Sequence, residues 1–261
     1  MIFDVNAWLG IWPFRSLRDN TPEALIARLD RSGIDGAAVS LIEAIFHRNV
    51  QPVNGRLAEL VVPYTDRLVP LATINPTYTK WEDDLDVCHE KLGMKGVRLF
   101  PQYHNYEVDG ADARHVVEAC KERGLPVFIP HRMEDVRGRH WMDPGKVVTP
   151  SKIANLVAAV PDATVVVPNL RGLARMALWQ REELRDLSWY VDLSLAEVHK
   201  DAANLVEEGG AKHLLFGTHL PISYAAPALV KRVILPVDED TRTDISYRNA
   251  ARILNLDLNA A

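Results

Sequence analysis

The chain has 261 residues, of which 48% are hydrophobic and 25% charged, and its formal net charge is −5. These values are ordinary for a soluble globular protein, and the length suits a single α/β domain. Acidic and basic residues are interspersed without a long basic run, which disfavours nucleic acid as a partner. No uncharged stretch reaches the roughly 18 residues of a membrane span, and the first residues lack a secretory pattern. We therefore expect no membrane partner.

The two cysteines, Cys88 and Cys120, lie in segments that predict amphipathic helices. Their spacing fits neither a metal site nor a disulfide framework. Unpaired cysteines are typical of a reducing compartment, so we expect a cytoplasmic protein.

Short apolar runs rich in β-formers alternate with longer segments of helical period. The first helix is well delimited: Thr21 suits its N-cap, Pro22 its first position and Gly33 its end. Strands are predicted at residues 2–6, 36–41, 68–74, 96–100, 126–130, 164–168, 189–194 and 213–217. Helices are predicted at residues 21–31, within 52–64, and at 81–92, 111–123, 150–160, 173–186, 201–208, 225–233 and 244–254.

Eight strand–helix units in this order predict a (β/α)8 barrel of the TIM type. Several strands are continuous apolar runs, such as residues 165–167, which indicates a parallel sheet buried on both faces. An open doubly wound sheet would usually carry a glycine-rich turn after its first strand, whereas residues 6–10 read NAWLG. We therefore expect one domain over residues 1–261: a closed parallel sheet, an outer layer of helices and extra C-terminal helices.

In such a barrel the functional site forms where the strands end. The polar residues and one tryptophan at predicted strand ends are Asp4, Asn6, Trp8, Asn75, Arg98, His131, Asn169, Asp192, Ser194, Thr218 and His219. Asp4, Asn6 and Trp8 have the same parity in the first strand, so all three should point inward. The ring closure should bring His131 and His219 into one pocket with them.

Arginines add a further constraint. Arg98 lies within an apolar strand, and because an unpaired buried guanidinium is costly, we expect it to meet Asp4, another acid or an anionic ligand. The segment after the fifth strand contains Arg132, Arg137 and Arg139, whose forked donors suit carboxylates and phosphates. The alternative for this segment is a solvated surface loop.

Six segments together suggest a family: IFDVNAW at residues 2–8, GVRLFP at 96–101, PVFIPH at 126–131, VPNLRG at 167–172, LLFGTHLP at 214–221 and YRNAARIL at 247–254. These segments are distributed over nearly the whole chain, and their order and spacing match those of the family. The chain resembles the amidohydrolase superfamily, in the amidohydrolase-related branch of metal-dependent hydrolases, lactonases and decarboxylases.

The departures from the family pattern concern the metal. The family carries D-x-H-x-H on the first strand, whereas this chain keeps Asp4 but has Asn6 and Trp8 in place of the two histidines. The strand-five histidine is present as His131, while the family's strand-six histidine and strand-eight aspartate fall on Asn169 and His219. The resemblance thus implies a largely lost metal site, with either no cofactor or a single divalent ion such as Zn²⁺ held by His131 and His219.

The function predicted on this basis is hydrolysis of a small carboxylated or cyclic substrate at the mouth of the barrel. The predicted catalytic residues are His131, His219 and Asp4, and the predicted substrate-binding residues are Asn6, Trp8, Arg98, Asn169 and Arg132. Two alternatives stay open: a non-catalytic ligand-binding barrel, and a metal-free decarboxylase or lactonase. The expected partner is a small molecule, and a homo-oligomer is compatible with the sequence.

Overall fold

The computed structural model describes residues 1–197 and 201–257. Its strands are β1 (Phe3–Leu9), β2 (Gly36–Leu41), β3 (Leu68–Pro70), β4 (Ala72–Thr73), β5 (Val97–Arg98), β6 (Val127–Phe128), β7 (Val165–Val167), β8 (Trp189–Asp192) and β9 (Leu214–Leu215). Its α-helices are α1 (Pro22–Ser32), α2 (Gln51–Val61), α3 (Trp81–Asp86), α4 (Pro101–His104), α5 (Ala111–Glu122), α6 (Pro150–Ala159), α7 (Ala177–Gln180), α8 (Ala203–Glu207), α9 (Ala225–Ile234), α10 (Glu239–Thr243) and α11 (Asn249–Leu254).

All strand pairs are parallel, in two sheets ordered β1-β2-β3 and β4-β5-β6-β7-β8-β9. The sheets meet at Leu71, the residue between β3 and β4, whose amide donates to the Val39 carbonyl at 2.8 Å. At the other edge Val5 donates its amide to Phe216 and Trp8 donates to Leu220. These hydrogen bonds join the sheets at both edges, and the predicted TIM-type barrel is confirmed.

The main hydrophobic core lies between the strands and the surrounding helices. Val39, Val127 and Val165 pack there with helix residues such as Leu25 and Val116. A second cluster contains the alternate strand residues, among them Phe128 and Val166, and α11 packs against it. Burial on both faces explains the continuous apolar strands of the sequence.

Several predicted elements differ in extent from the observed ones. The first strand runs on past residue 6 to Leu9, because its backbone continues to pair with β2 and with Leu220. The predicted helix at residues 173–186 is divided into three short turns, since Met176 and Arg181 adopt extended backbone. The indole of Trp179 in this segment donates to Glu208 at 2.6 Å, an example of tertiary contacts overriding helical propensity.

Cys88 and Cys120 are both free and buried, as the sequence predicts. Burial raises the pKa of each thiol to about 12, which makes both unreactive near neutral pH. Over the described ranges, no helix combines the length and the apolar character needed to cross a membrane.

Candidate functional site

A fully buried hydrogen-bond network occupies the C-terminal ends of β1, β7 and β8, with Asn6 at its centre. The Asn6 amide group donates to Asn169 Oδ1 at 2.8 Å and to Asp192 Oδ2 at 2.7 Å. The backbone amide of Asn169 and the hydroxyl of Ser194 both donate to Asp192 Oδ1. Side chains that the sequence predicts at strand ends thereby connect β1 with β7 and β8, which lie far from it in sequence.

Asp4 links β1 to the segment after β9. Its Oδ1 accepts from the amides of Asn6 and Thr218, each at 2.9 Å, and its Oδ2 accepts from the Thr218 hydroxyl. Burial raises the pKa of Asp4 to about 6, although these hydrogen bonds oppose the rise. Burial also raises the pKa of Asp192, so the site contains two carboxyl groups that resist ionisation.

His219 is buried, and both of its ring nitrogens are engaged. Nε2 lies 2.5 Å from the carbonyl oxygen of Met133, an acceptor, so Nε2 carries the proton. Nδ1 then accepts from the indole of Trp8 at 3.1 Å and from the Asn169 amide at 3.3 Å. Burial lowers the pKa of His219 to about 4, so it is neutral near pH 7.

Both His219 and Asn169 have a φ of 64°, in the left-handed region. Asparagine tolerates this conformation better than histidine, for which it costs free energy. Backbone held in this way clusters at functional sites, so these strand ends are candidates for one.

Arg98 corrects one expectation. It is fully buried, but it makes no ion pair with Asp4 or any other described carboxylate; its guanidinium carbon instead lies 3.8 Å from the centre of the Trp8 ring. Nη2 donates to the carbonyls of Val5 and Ala38 at 3.4 Å, while Nε and Nη1 have no partner. Burial lowers the pKa of Arg98 to about 9, which leaves it protonated at neutral pH.

Trp8 is itself covered by apolar side chains from the loops. The cluster contains Trp8, Trp12, Ile42, Ile45, Phe100, Met133 and Ile222. The segment at residues 11–14 (IWPF), which follows β1, is the sequence signal for this cover, although it lies outside the strand-end pattern. The side chains of Asn6, Trp8, Arg98 and Asn169 therefore lie beneath an apolar layer in this conformation.

His131 follows β6 and keeps one ring nitrogen unengaged. Its Nδ1 lies 2.7 Å from the Val148 carbonyl and so carries the proton, while Nε2 has no hydrogen-bond partner among the described residues. Burial lowers its pKa to about 4, so a neutral imidazole presents a lone pair.

Arg132, the next residue, has no partner for its charge. The residue is 8% exposed, and its Nε and Nη2 are buried without a hydrogen bond. The neighbouring acid Asp135 is already bound to Arg137 and Arg171. Burial and the positive charge of Arg171 lower the pKa of Arg132. Such a cation favours an anionic ligand.

The structure brings the predicted residues together in part. Asp4, Asn6, Trp8, Asn169 and His219 form one connected network. His131 makes no direct hydrogen bond to it, but the carbonyl of Met133, two residues further on, accepts a hydrogen bond from His219 Nε2. The catalytic and binding roles assigned to all these residues remain predictions.

The described side chains do not fit the metal that the resemblance implies. Within residues 1–197 and 201–257, no three side chains of His, Cys, Asp or Glu lie close enough to hold an ion. His219 has no free lone pair, and the Asn6 amide is engaged at both atoms: its nitrogen donates to Asn169 and Asp192, and its oxygen accepts from the Trp8 indole. The prediction of a metal held by His131 and His219 therefore has no support in this arrangement.

The amidohydrolase family profile matches residues 13–256 of the chain. Among functionally curated proteins, none matches significantly.

Solved structures share the fold at low identity. The 2,6-dihydroxybenzoate decarboxylase from Rhizobium is 16% identical, with a TM-score of 0.73 and coverage of 98% of this chain and 99% of that one. The 5-carboxyvanillate decarboxylase from Sphingomonas paucimobilis is 15% identical, with a TM-score of 0.74 and the same coverage. A dihydroxybenzoic acid decarboxylase from Polaromonas, with bound manganese and 2-nitroresorcinol, is 16% identical, with a TM-score of 0.73 and coverage of 100% and 98%.

The pKa of Asp4 makes folding stability depend on pH. Because the folded-state pKa of about 6 exceeds the ordinary value of 3.8, the folded chain binds the proton more tightly than the unfolded chain. Protonated Asp4 therefore stabilises the folded chain, and as the pH rises from about 4 to above 6 the free energy of unfolding loses about 3 kcal/mol of this stabilisation. Buried His131 and His219, with pKa values of about 4, make stability rise over the same range, so the Asp4 effect is measured as a difference. In urea unfolding, the free energy of unfolding of the wild type minus that of D4N should decrease as the pH rises between these values.

The matched control is D66N, which alters an exposed carboxylate and should keep the wild-type slope. An unchanged slope in D4N would show that Asp4 ionises as easily in the folded chain as in the unfolded one.

Proposed function

Because the chain belongs to the amidohydrolase family, we propose that it is an enzyme that hydrolyses a small cyclic substrate bearing a carboxylate, at the C-terminal ends of the barrel strands. Arg132 binds the substrate carboxylate, and His131 accepts a proton from the attacking water. Both residues follow β6, at the edge of the barrel where enzymes of this architecture place their sites.

The unpartnered guanidinium of Arg132 is the observation that carries the proposal. The neighbouring arginines are engaged: Arg15 is paired with Glu134, Arg137 and Arg171 share Asp135, and Arg139 donates to the Gly145 carbonyl. Arg132 has none within the described structure, although it is largely buried. A carboxylate would satisfy its forked donors in a bidentate geometry and remove the cost of leaving them unpaired.

The state of His131 favours hydrolysis over decarboxylation. A neutral imidazole whose Nδ1–H is held by Val148 has its lone pair at Nε2, so it can take a proton from water. Loss of CO₂ from a ring carbon instead requires delivery of a proton to that carbon. With a pKa of about 4, His131 has no proton on Nε2 to deliver near neutral pH.

The solved relatives support the substrate class. Two are named as decarboxylases of dihydroxybenzoate and carboxyvanillate, which are aromatic carboxylates. Manganese is bound in the relative from Polaromonas, but because the described side chains of this chain assemble no ligand set, the proposed mechanism uses protein groups alone. The free, buried cysteines support a cytoplasmic location.

A non-catalytic ligand-binding barrel is the second candidate. The observation in its favour is the apolar cover over Trp8, beneath which His219 has both nitrogens engaged. Such a protein would bind carboxylated rings through Arg132 without turning them over. Turnover of any member of a panel of lactones and amides with a ring carboxylate decides between the two.

Replacing Arg132 tests the carboxylate site. R132M should raise KM for a carboxylated substrate about 10- to 100-fold, since a charge-assisted hydrogen bond is lost, with a smaller effect on kcat. R137M is the matched control, because Arg137 lies on the same loop, is exposed and contacts Asp135. Equal effects of the two substitutions on KM would remove Arg132 from the site.

Replacing His131 tests the proton acceptor. Since His131 must be neutral to accept a proton, kcat/KM should stay level from neutral pH downward and fall as the pH approaches about 4. H131A should lower kcat at neutral pH by about 10²-fold or more. Circular dichroism at each pH controls for unfolding; full turnover by folded H131A would exclude the role.

A further inference from the structure

We propose that a cavity between the loops after β1 and β9 binds an oxyanion group with two negative charges, such as a phosphate. The cavity has a volume of about 540 Å³, and its lining includes Arg15, Arg18 and Arg28 together with the hydroxyl-bearing Ser16 and Ser223. It shares no lining residue with the pair His131 and Arg132, so the inference stands independently of the proposed function.

The local charge is positive although the whole chain carries −5. Asp19 is the one acid among the lining residues, against three arginines, of which Arg15 is paired with Glu134 outside the lining. Asp19 also forms an ion pair with Arg31, whose Nη2 lies 3.6 Å from Asp19 Oδ1 and which does not line the cavity. One carboxylate is thus shared by two guanidinium groups, and the cavity keeps excess positive charge that an anion would neutralise.

Two of the lining arginines have donors to spare. Arg18 is exposed and has neither a hydrogen bond nor an ion pair in the described structure. Arg28 Nε is buried without a hydrogen-bond partner and lies 3.9 Å from Asp19, beyond hydrogen-bond distance. Because Arg18 belongs to the loop after β1 and Arg28 to α1, their donors approach the cavity from two different elements.

The other walls add fixed donors. Arg15 is anchored through Nη2 to Glu134 at 3.0 Å and to the Ile222 carbonyl at 2.6 Å. The ten-residue helix α9 begins directly after the lining residue Tyr224, which makes no side-chain cap. The uncapped amides and dipole of this helix start favour an anion, in support of the arginines.

The number of donors and the positive charge of the cavity favour a ligand with two negative charges. Arg132 offers one unpaired guanidinium, which suits a single carboxylate, whereas this cavity presents several donors around an excess of positive charge. Guanidinium forks bind phosphate and carboxylate alike, but a tetrahedral dianion carries the charge and the additional oxygens needed to contact both sides of the cavity.

Isothermal titration calorimetry with inorganic phosphate, at ionic strength matched with sodium chloride, tests the site. The wild type should bind phosphate, and R18Q and R28Q should each weaken binding about tenfold through loss of a charge-assisted hydrogen bond. R31Q is the matched control, because Arg31 lies on the same helix and contacts Asp19 but does not line the cavity. Because R31Q removes a charge beside Asp19 but no donor of the cavity, it should weaken phosphate binding less than R18Q does.

Further titrations separate this site from the one at Arg132. R132M should leave phosphate binding unchanged, and acetate should bind the wild type more weakly than phosphate does. The proposal is overturned if phosphate does not bind, if R18Q binds it as well as R31Q does, or if only R132M abolishes binding. Should R28Q fail to fold, R18Q decides alone, since the Arg18 side chain is exposed and makes no contact that folding needs.

Discussion

Two carboxyl groups, Asp4 on β1 and Asp192 at the end of β8, lie fully buried, and the need to satisfy them with hydrogen bonds organises this end of the molecule. Asp4 is held by the backbone and hydroxyl of Thr218, and Asp192 by Asn6, Asn169 and Ser194. A buried carboxylate without such partners would be prohibitively costly. The hydrogen bonds that stabilise these acids therefore also close the ring of strands and fix the geometry of the strand ends.

The same network determines which polar groups at the strand ends remain available to a ligand. The polar atoms of Asn6 and His219 are hydrogen-bonded to neighbouring side chains. Arg98 stacks on the Trp8 ring and interacts electrostatically with Asp4 and Asp192 without forming an ion pair with either. The positions at which the resembled family carries histidines on the first strand are thus occupied by an amide that donates and by an indole. After β6, the described residues leave free the Nε2 of His131 and the guanidinium of Arg132.

The sequence predicted the order of strands and helices and the polar residues at the strand ends, because parity, capping and apolar runs are local properties. It could not predict that Arg98 stacks on Trp8, since that contact joins residues far apart in the chain. Nor could it predict that Asp135 pairs with Arg137 and Arg171 and leaves Arg132 alone, because the choice depends on how the loops fold. The division of the helix at residues 173–186 was equally beyond local pattern, as it depends on tertiary contacts such as that of Trp179 with Glu208.

The central proposal is that hydrogen-bonded side chains, with Arg98 and Trp8, occupy the strand ends in place of a metal ligand set. Its most direct test is the metal content of the protein, purified without an affinity tag and equilibrated with Mn²⁺ or Zn²⁺ before removal of free ions, by plasma mass spectrometry. The account predicts substoichiometric metal in every preparation. One equivalent of tightly held metal in the wild type, lost in a variant with alanine at His131, would contradict it.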